Sequence, residues 1–210
     1  MGIVPLDVLL TGVTGAGKST TINAIFQQNV AVKGNGVYPE TMRVSGYALN
    51  KSLRLWDTPG LGDGVEQDRR HIEELKNILQ KSYKHPRTGK IHKLIDMVIV
   101  IIEGSNRDMG TTYRLINDVI VPNIQGDRIF VLINQADVAM KNRHWDSIRN
   151  VPDPVLKRFL EEQAYSIQKR VREATGVSIL KPVYYSAECG YNVEAVLDFL
   201  IDYMPLNCRE

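Results

Sequence analysis

Gly12-Val13-Thr14-Gly15-Ala16-Gly17-Lys18-Ser19, "GVTGAGKS", decides the fold. It follows an apolar run at residues 6–11 and leads into a helical pattern at 19–28. Strand, glycine loop and helix in that order give the spacing G-x-x-x-x-G-K-S its physical meaning. Glycines let the backbone bend so that successive N–H groups point into one concavity, and the helix adds the positive end of its dipole there. The expected phosphate ligands are Thr14, Gly15, Ala16, Gly17, Lys18, Ser19 and Thr20. Lys18 would bridge β- and γ-phosphates, and the Ser19 hydroxyl would hold magnesium.

Working outward, residues 44–49 and 53–57 are short strand-like runs separated by the polar Asn50-Lys51-Ser52, a hairpin pattern. The second run ends in Asp57-Thr58-Pro59-Gly60-Leu61-Gly62-Asp63. An aspartate at that strand end can hold magnesium through water, and the Gly60 N–H would face a γ-phosphate. Leu61, the next residue, can neither orient nor deprotonate water.

Residues 95–102, "IDMVIVII", form a continuous apolar run of the kind buried on both faces of a parallel sheet, and residues 129–133 form another. Helical patterns are expected at 68–80, 111–121, 154–174 and 192–203, with a short strand at 182–185. The alternation predicts an α/β layered fold. After the strand at 129–133 comes Asn134-Gln135-Ala136-Asp137. A carboxylate fixed there can accept two hydrogen bonds from guanine N1–H and N2–H₂, donors that adenine lacks. Ser186, Ala187 and Glu188, after the last strand, offer a backbone N–H for guanine O6.

In order and rough spacing, these four segments resemble the motifs of the translation-factor-like class of P-loop GTPases. "GVTGAGKSTTINAIF" and "DTPGLGD" are most similar to bacterial Era/TrmE-type GTPases, with septin and immunity-related GTPases as further relatives. The resemblance covers nearly all of the chain. It implies a three-layer domain with a mostly parallel six-stranded sheet, one strand antiparallel, and the nucleotide across the carboxyl ends of the strands. It implies GTP and GDP as ligands, Mg²⁺ as cofactor, and Ser19, Thr41 and Asp57 around the metal. Lys18, Thr41 and Gly60 then form the catalytic set. Thr41, in "VYPETMRV", stands as the switch threonine, with switch I at 34–44 and switch II at 60–68.

Two departures matter. Gln135 stands where the resembled pattern has lysine; it keeps the cover over the base and loses the charge, so guanine affinity is expected to be moderately weaker. Gly15 stands where potassium-activated relatives carry asparagine, so potassium activation is not expected. With Leu61 unable to handle water, the expectation is a slow GTPase switch accelerated by a homodimer or an activating protein partner. The alternative is a guanine-nucleotide-binding assembly module with little turnover. An ATP-using P-loop kinase is disfavoured by Asp137 and by the hairpin.

The remaining composition is bland. With 210 residues, 43 % hydrophobic and 24 % charged, the chain suits a single domain over residues 1–210, compatible with the core of a longer protein. A net charge of +2 argues neither for nucleic acid nor for membrane. Cys189 and Cys208 lack metal spacing and read as reduced thiols of a cytoplasmic protein. His71, His85, His92 and His144 also lack metal spacing. Residues 81–93, "KSYKHPRTGKIHK", carry five Lys/Arg and no acid. They read as a solvated connection, or else as a contact for ribosomal RNA, anionic lipid or a partner.

Overall fold

The computed structural model describes residues 6–29, 45–48, 53–84, 89–105 and 109–204. Thr41, the rest of switch I, the turn at 50–52 and Cys208 lie outside the described residues. The elements, in chain order, are β1 (Leu6–Gly12), α1 (Lys18–Asn29), β2 (Ser45–Ala48), β3 (Leu53–Asp57), α2 (Val65–Gln80), β4 (Ser82–Lys84), β5 (Ile91–Lys93), β6 (Met97–Glu103) and α3 (Gly110–Arg114). A π-helical turn (Leu115–Ile120) and a 3₁₀ turn (Gly126–Arg128) lead to β7 (Ile129–Asn134), β8 (Trp145–Asp146), β9 (Val151–Pro152), α4 (Pro154–Thr175), β10 (Val183–Tyr184) and α5 (Val193–Asp202).

The main sheet has six strands in the order β10-β7-β6-β1-β3-β2. Five are parallel; β2 runs antiparallel to β3, pairing Ser45 with Asp57 and Ala48 with Arg54. This is the α/β P-loop GTPase architecture expected from the sequence. Alternate residues of each central strand serve opposite layers, as a period of two requires. Val98, Val100 and Ile102 of β6 join Ile129, Val131 and Ile133 of β7 under α2, the π turn and α4. Met97, Ile99 and Ile101 join Phe130 and Leu132 under α1 and α5. Burial on both faces is why β6 and β7 read as unbroken apolar runs.

Two expectations need correction. The helix expected at 111–121 is α-helical only through Arg114; it then widens, with the Val121 N–H donating to the Ile116 carbonyl. The wider turn keeps Leu115, Ile116, Val119 and Ile120 all buried, which a π turn accommodates as a local bulge. The basic stretch 81–93 is not simply a connection. It contains the antiparallel pair β4–β5, with Tyr83 opposite His92 at a ring separation of 5.9 Å.

At the sheet end opposite the glycine loop, Asp7 is fully buried. Arg54 grips it with two nitrogens at 2.6 and 2.7 Å, and the Trp56 indole donates to it at 2.7 Å. Asp96 accepts from the Asp7 amide at 2.8 Å. This network fastens β1, β3 and the entry to β6.

Candidate nucleotide-binding site

The site is built on the carboxyl ends of β1, β3, β7 and β10. The loop after β1 closes over Lys18, which is buried and donates to the carbonyls of Gly12 at 3.3 Å and Val13 at 3.0 Å. Burial pushes its ammonium below the ordinary lysine value, while the Asp57 and Asp63 carboxylates pull the other way. Gly17 adopts φ 84°, and a side chain there would meet Asn134 Nδ2 at 2.2 Å. Gly15 and Thr14 are exposed, Ala16 is buried, and Ser19 and Thr20 lie half-buried in the first turn of α1.

The Ser19 hydroxyl donates to Asp57 Oδ2 at 2.6 Å. The two hard oxygen donors fit magnesium, which takes few protein ligands and otherwise keeps water and phosphate oxygens. Among the described residues no cluster of three or more His, Cys, Asp or Glu offers a different metal cage.

Asn134 joins the distant segments. Its Nδ2 donates to the Ala16 carbonyl at 3.0 Å, and its Oδ1 accepts from the Ala187 N–H at 3.0 Å. Gln135 Nε2 donates to the Gly15 carbonyl at 2.8 Å. A neutral amide therefore makes a tie to the glycine loop at the position where lysine would place an ammonium. The Ala136 N–H donates to the Tyr185 carbonyl at 3.0 Å, bringing the turn after β10 against the turn after β7. Asp137 is half-buried, and its Oδ1 accepts no hydrogen bond from a described residue. It lies close to Cys189, whose thiol is pushed up chiefly by burial and further by Asp137 and Glu188. Ser186 and Ala187 are buried, whereas Glu188 is exposed.

Several participants carry no motif. Tyr185 is fully buried with its hydroxyl 2.6 Å from Thr21 Oγ1, which itself donates to the Gly17 carbonyl at 2.7 Å. That chain buttresses the glycine loop from below, and only the buried strand context hinted at it. Gly60 approaches Thr14 so closely that a Cβ would sit 2.4 Å from Thr14 Oγ1. Leu61 is buried in the core, where the sequence had raised only its unfitness for handling water. Beside these residues opens a cleft of about 910 Å³ lined by Thr14, Leu61, Gly62, Glu103, Lys141 and Arg143.

The comparisons agree with this geometry. Residues 7–135 match the family described as "50S ribosome-binding GTPase". Translocase of chloroplast 125 from Physcomitrium patens is 29 % identical over 174 residues, covering 80 % of this chain and 14 % of that protein. GTPase Der from Rickettsia rickettsii is 25 % identical over 199 residues, covering 92 % of this chain and 38 % of that protein. The chain thus spans well under half the length of either relative. A solved structure of Era, in complex with MgGDPNP and nucleotides 1506–1542 of 16S ribosomal RNA, superposes with a TM-score of 0.60 at 15 % identity, covering 97 % of this chain and 58 % of that one. With over half of its residues matched and the P-loop architecture in place, the chain belongs to the 50S ribosome-binding GTPase family of GTP-binding hydrolases.

Proposed function

We propose that this chain is a magnesium-dependent switch that binds GTP and GDP and hydrolyses GTP slowly. The observation that carries the reading is the pair of hydrogen bonds of Asn134, donated to Ala16 on one side and accepted from Ala187 on the other. This brace between the glycine loop and the turn after β10 supports one shared surface on which a single guanine nucleotide would span phosphate cradle and base-reading turn.

In this reading the amides of residues 14–20 hold the phosphates, and Lys18 spans the β- and γ-groups. Asp137 Oδ1 accepts from the guanine edge, the amide at Ala187 meets O6, and Gln135 covers the base. Ser19, Asp57 and Thr41 would hold magnesium, which when bound neutralises charge on the phosphate oxygens. Gly60 presents its N–H to the γ-phosphate. Phosphoryl transfer rests mainly on position and charge, so these groups support turnover without a polar residue at 61. The expected intrinsic rate is on the order of 10⁻⁴ to 10⁻² s⁻¹, raised by dimerisation or by a protein that donates a charge. The glycine at position 15 supports independence from potassium, and the free Cys189 thiol supports a cytoplasmic setting. The basic hairpin β4–β5 is the surface we would test for RNA or anionic lipid.

A second reading, an assembly module that holds nucleotide without turnover, is favoured by the burial of Leu61. Titration of the purified chain with GTP and ATP in magnesium, followed by phosphate release, tests both. The first reading expects GTP binding in strong preference to ATP and slow phosphate release, both lost in Lys18→Ala. Tight GTP binding with no release selects the assembly module, and equal affinity for ATP removes the guanine assignment.

A further inference from the structure

Two consecutive peptide units of the "DTPGLGD" turn are each held at both ends, on one side by the glycine loop and on the other by a side chain of α2. In the Gly60–Leu61 unit, the Gly60 carbonyl lies 2.8 Å from His71 Nδ1. A carbonyl can only accept, so Nδ1 carries the proton. The N–H of that unit, from Leu61, donates to the Gly12 carbonyl at 3.3 Å. In the Leu61–Gly62 unit, the Leu61 carbonyl accepts from the Thr14 N–H at 2.7 Å, and the Gly62 N–H donates to Asp68 Oδ1 at 2.8 Å. The Asp63 N–H reaches the same Asp68 oxygen at 3.3 Å, and the Asp63 carboxylate accepts from the Thr14 hydroxyl at 2.9 Å.

Asp68 and His71 are three residues apart, so they share a face of α2. Both are half-buried, while Arg69 and Arg70 between them are exposed. From that face both side chains hydrogen-bond to the turn. The N-terminal part of α2 therefore moves with the turn or releases both of its contacts.

We infer that Asp68 and His71 form a clasp that pre-positions Gly60 for a γ-phosphate and passes the state of the nucleotide to α2. This rests on the nucleotide reading above and names two residues beyond the quoted motifs, Asp68 at the end of switch II and His71 past it. His71 and Asp68 are positioning residues: they touch the turn, and the turn touches the ligand. The closeness of Gly60 to Thr14 means that the clasped turn already stands at the phosphate cradle. Loss of the clasp should then weaken the triphosphate complex and spare the diphosphate complex, in which Gly60 has no γ-phosphate to meet.

The test is titration with fluorescent mant-GMPPNP and mant-GDP in magnesium, on the unmutated chain and on His71→Ala, His71→Asn, Asp68→Ala and Asp68→Asn. One lost hydrogen bond should weaken mant-GMPPNP about tenfold in His71→Ala while mant-GDP moves less than about twofold. His71→Asn, whose amide can donate to the same carbonyl, should restore most of the difference. Asp68→Asn keeps an acceptor oxygen and should stay near the unmutated ratio, whereas Asp68→Ala should follow His71→Ala. A merely structural role would lower both affinities together and would not be rescued selectively. Equal losses for both nucleotides, no loss at all, or failure of the Asn variants to recover the ratio would overturn the clasp. An unmutated chain that binds neither guanine nucleotide would overturn the nucleotide reading and the clasp with it.

Discussion

Asn134 Nδ2 donates to the carbonyl of Ala16 at 3.0 Å, joining positions 118 residues apart in the chain. Because its Oδ1 simultaneously accepts from the Ala187 N–H, removal of one side chain orphans two buried backbone groups. Asn134→Ala should cost about 2 kcal/mol or more, lowering the melting temperature by roughly 4–8 °C. Guanine-nucleotide affinity should fall by more than about tenfold, because both ends of the site lose their shared brace. Calorimetric melting and a GDP titration read the two effects separately.

Gln135 offers a graded test of the tie to the glycine loop. Truncation in Gln135→Ala removes the 2.8 Å bond to the Gly15 carbonyl and, in the proposed nucleotide complex, the cover over the base. GDP affinity should drop by about five- to tenfold. Gln135→Lys keeps the reach and adds a charge, and should tighten GDP severalfold over the unmutated chain. A lysine variant that binds no better would mean that the neutral amide already does all that this position can do.

The far end of the sheet makes a prediction about stability alone. Arg54 grips the fully buried Asp7, with the Trp56 indole as a further donor. Arg54→Ala removes the two-pronged grip on that buried carboxylate and should destabilise by about 2–4 kcal/mol. Arg54→Lys should lie between, since a single ammonium cannot reproduce the two-pronged grip. In an Asp7→Asn background the loss from Arg54→Ala should shrink, a coupling that a double-mutant cycle in urea measures directly. Nucleotide affinity should be nearly unchanged.

Burial raises the Tyr185 hydroxyl well above the ordinary tyrosine value. The folded state thus keeps a proton that the unfolded chain gives up near pH 10. Its stabilising contribution is complete below that value and declines as pH rises above it. Unfolding followed from pH 8 to 11 should show a falling stability with a smaller slope in Tyr185→Phe. At neutral pH the same variant should lose about 1 kcal/mol, because Thr21 is left without its phenol partner.

Much of the architecture was legible because it follows from local rules. Residues 95–102 and 129–133 announced central parallel strands through unbroken apolar character. The polar 50–52 stretch between two short runs announced the antiparallel edge, and the spacing of Gly12 to Ser19 announced the loop. Less legible were features set by contacts between distant segments. Nothing local marks His71 or Asp68 as facing the turn at Gly60, since their role depends on how α2 lies against the turn that follows β3. The widening of the chain at Leu115 answers to packing over the sheet rather than to propensity. Asp7 reads as an ordinary polar residue at a strand start until Arg54 arrives from the neighbouring strand. Gln135 lacks the charge of the resembled lysine, and its bond to the Gly15 carbonyl depends on packing between segments 120 residues apart.

The place of Leu61 has an energetic consequence for the whole molecule. Its side chain is anchored among core residues while its backbone sits on the glycine loop. Any excursion of that turn must wet a leucine, an expense of about 1.5–3 kcal/mol before a single hydrogen bond is counted. Such a gap restricts the displaced form to about ten per cent or less at rest. In the proposed switch the hydrophobic effect itself would thus serve as the spring, its stiffness tuned by exchanging one methylene-rich side chain for a shorter one.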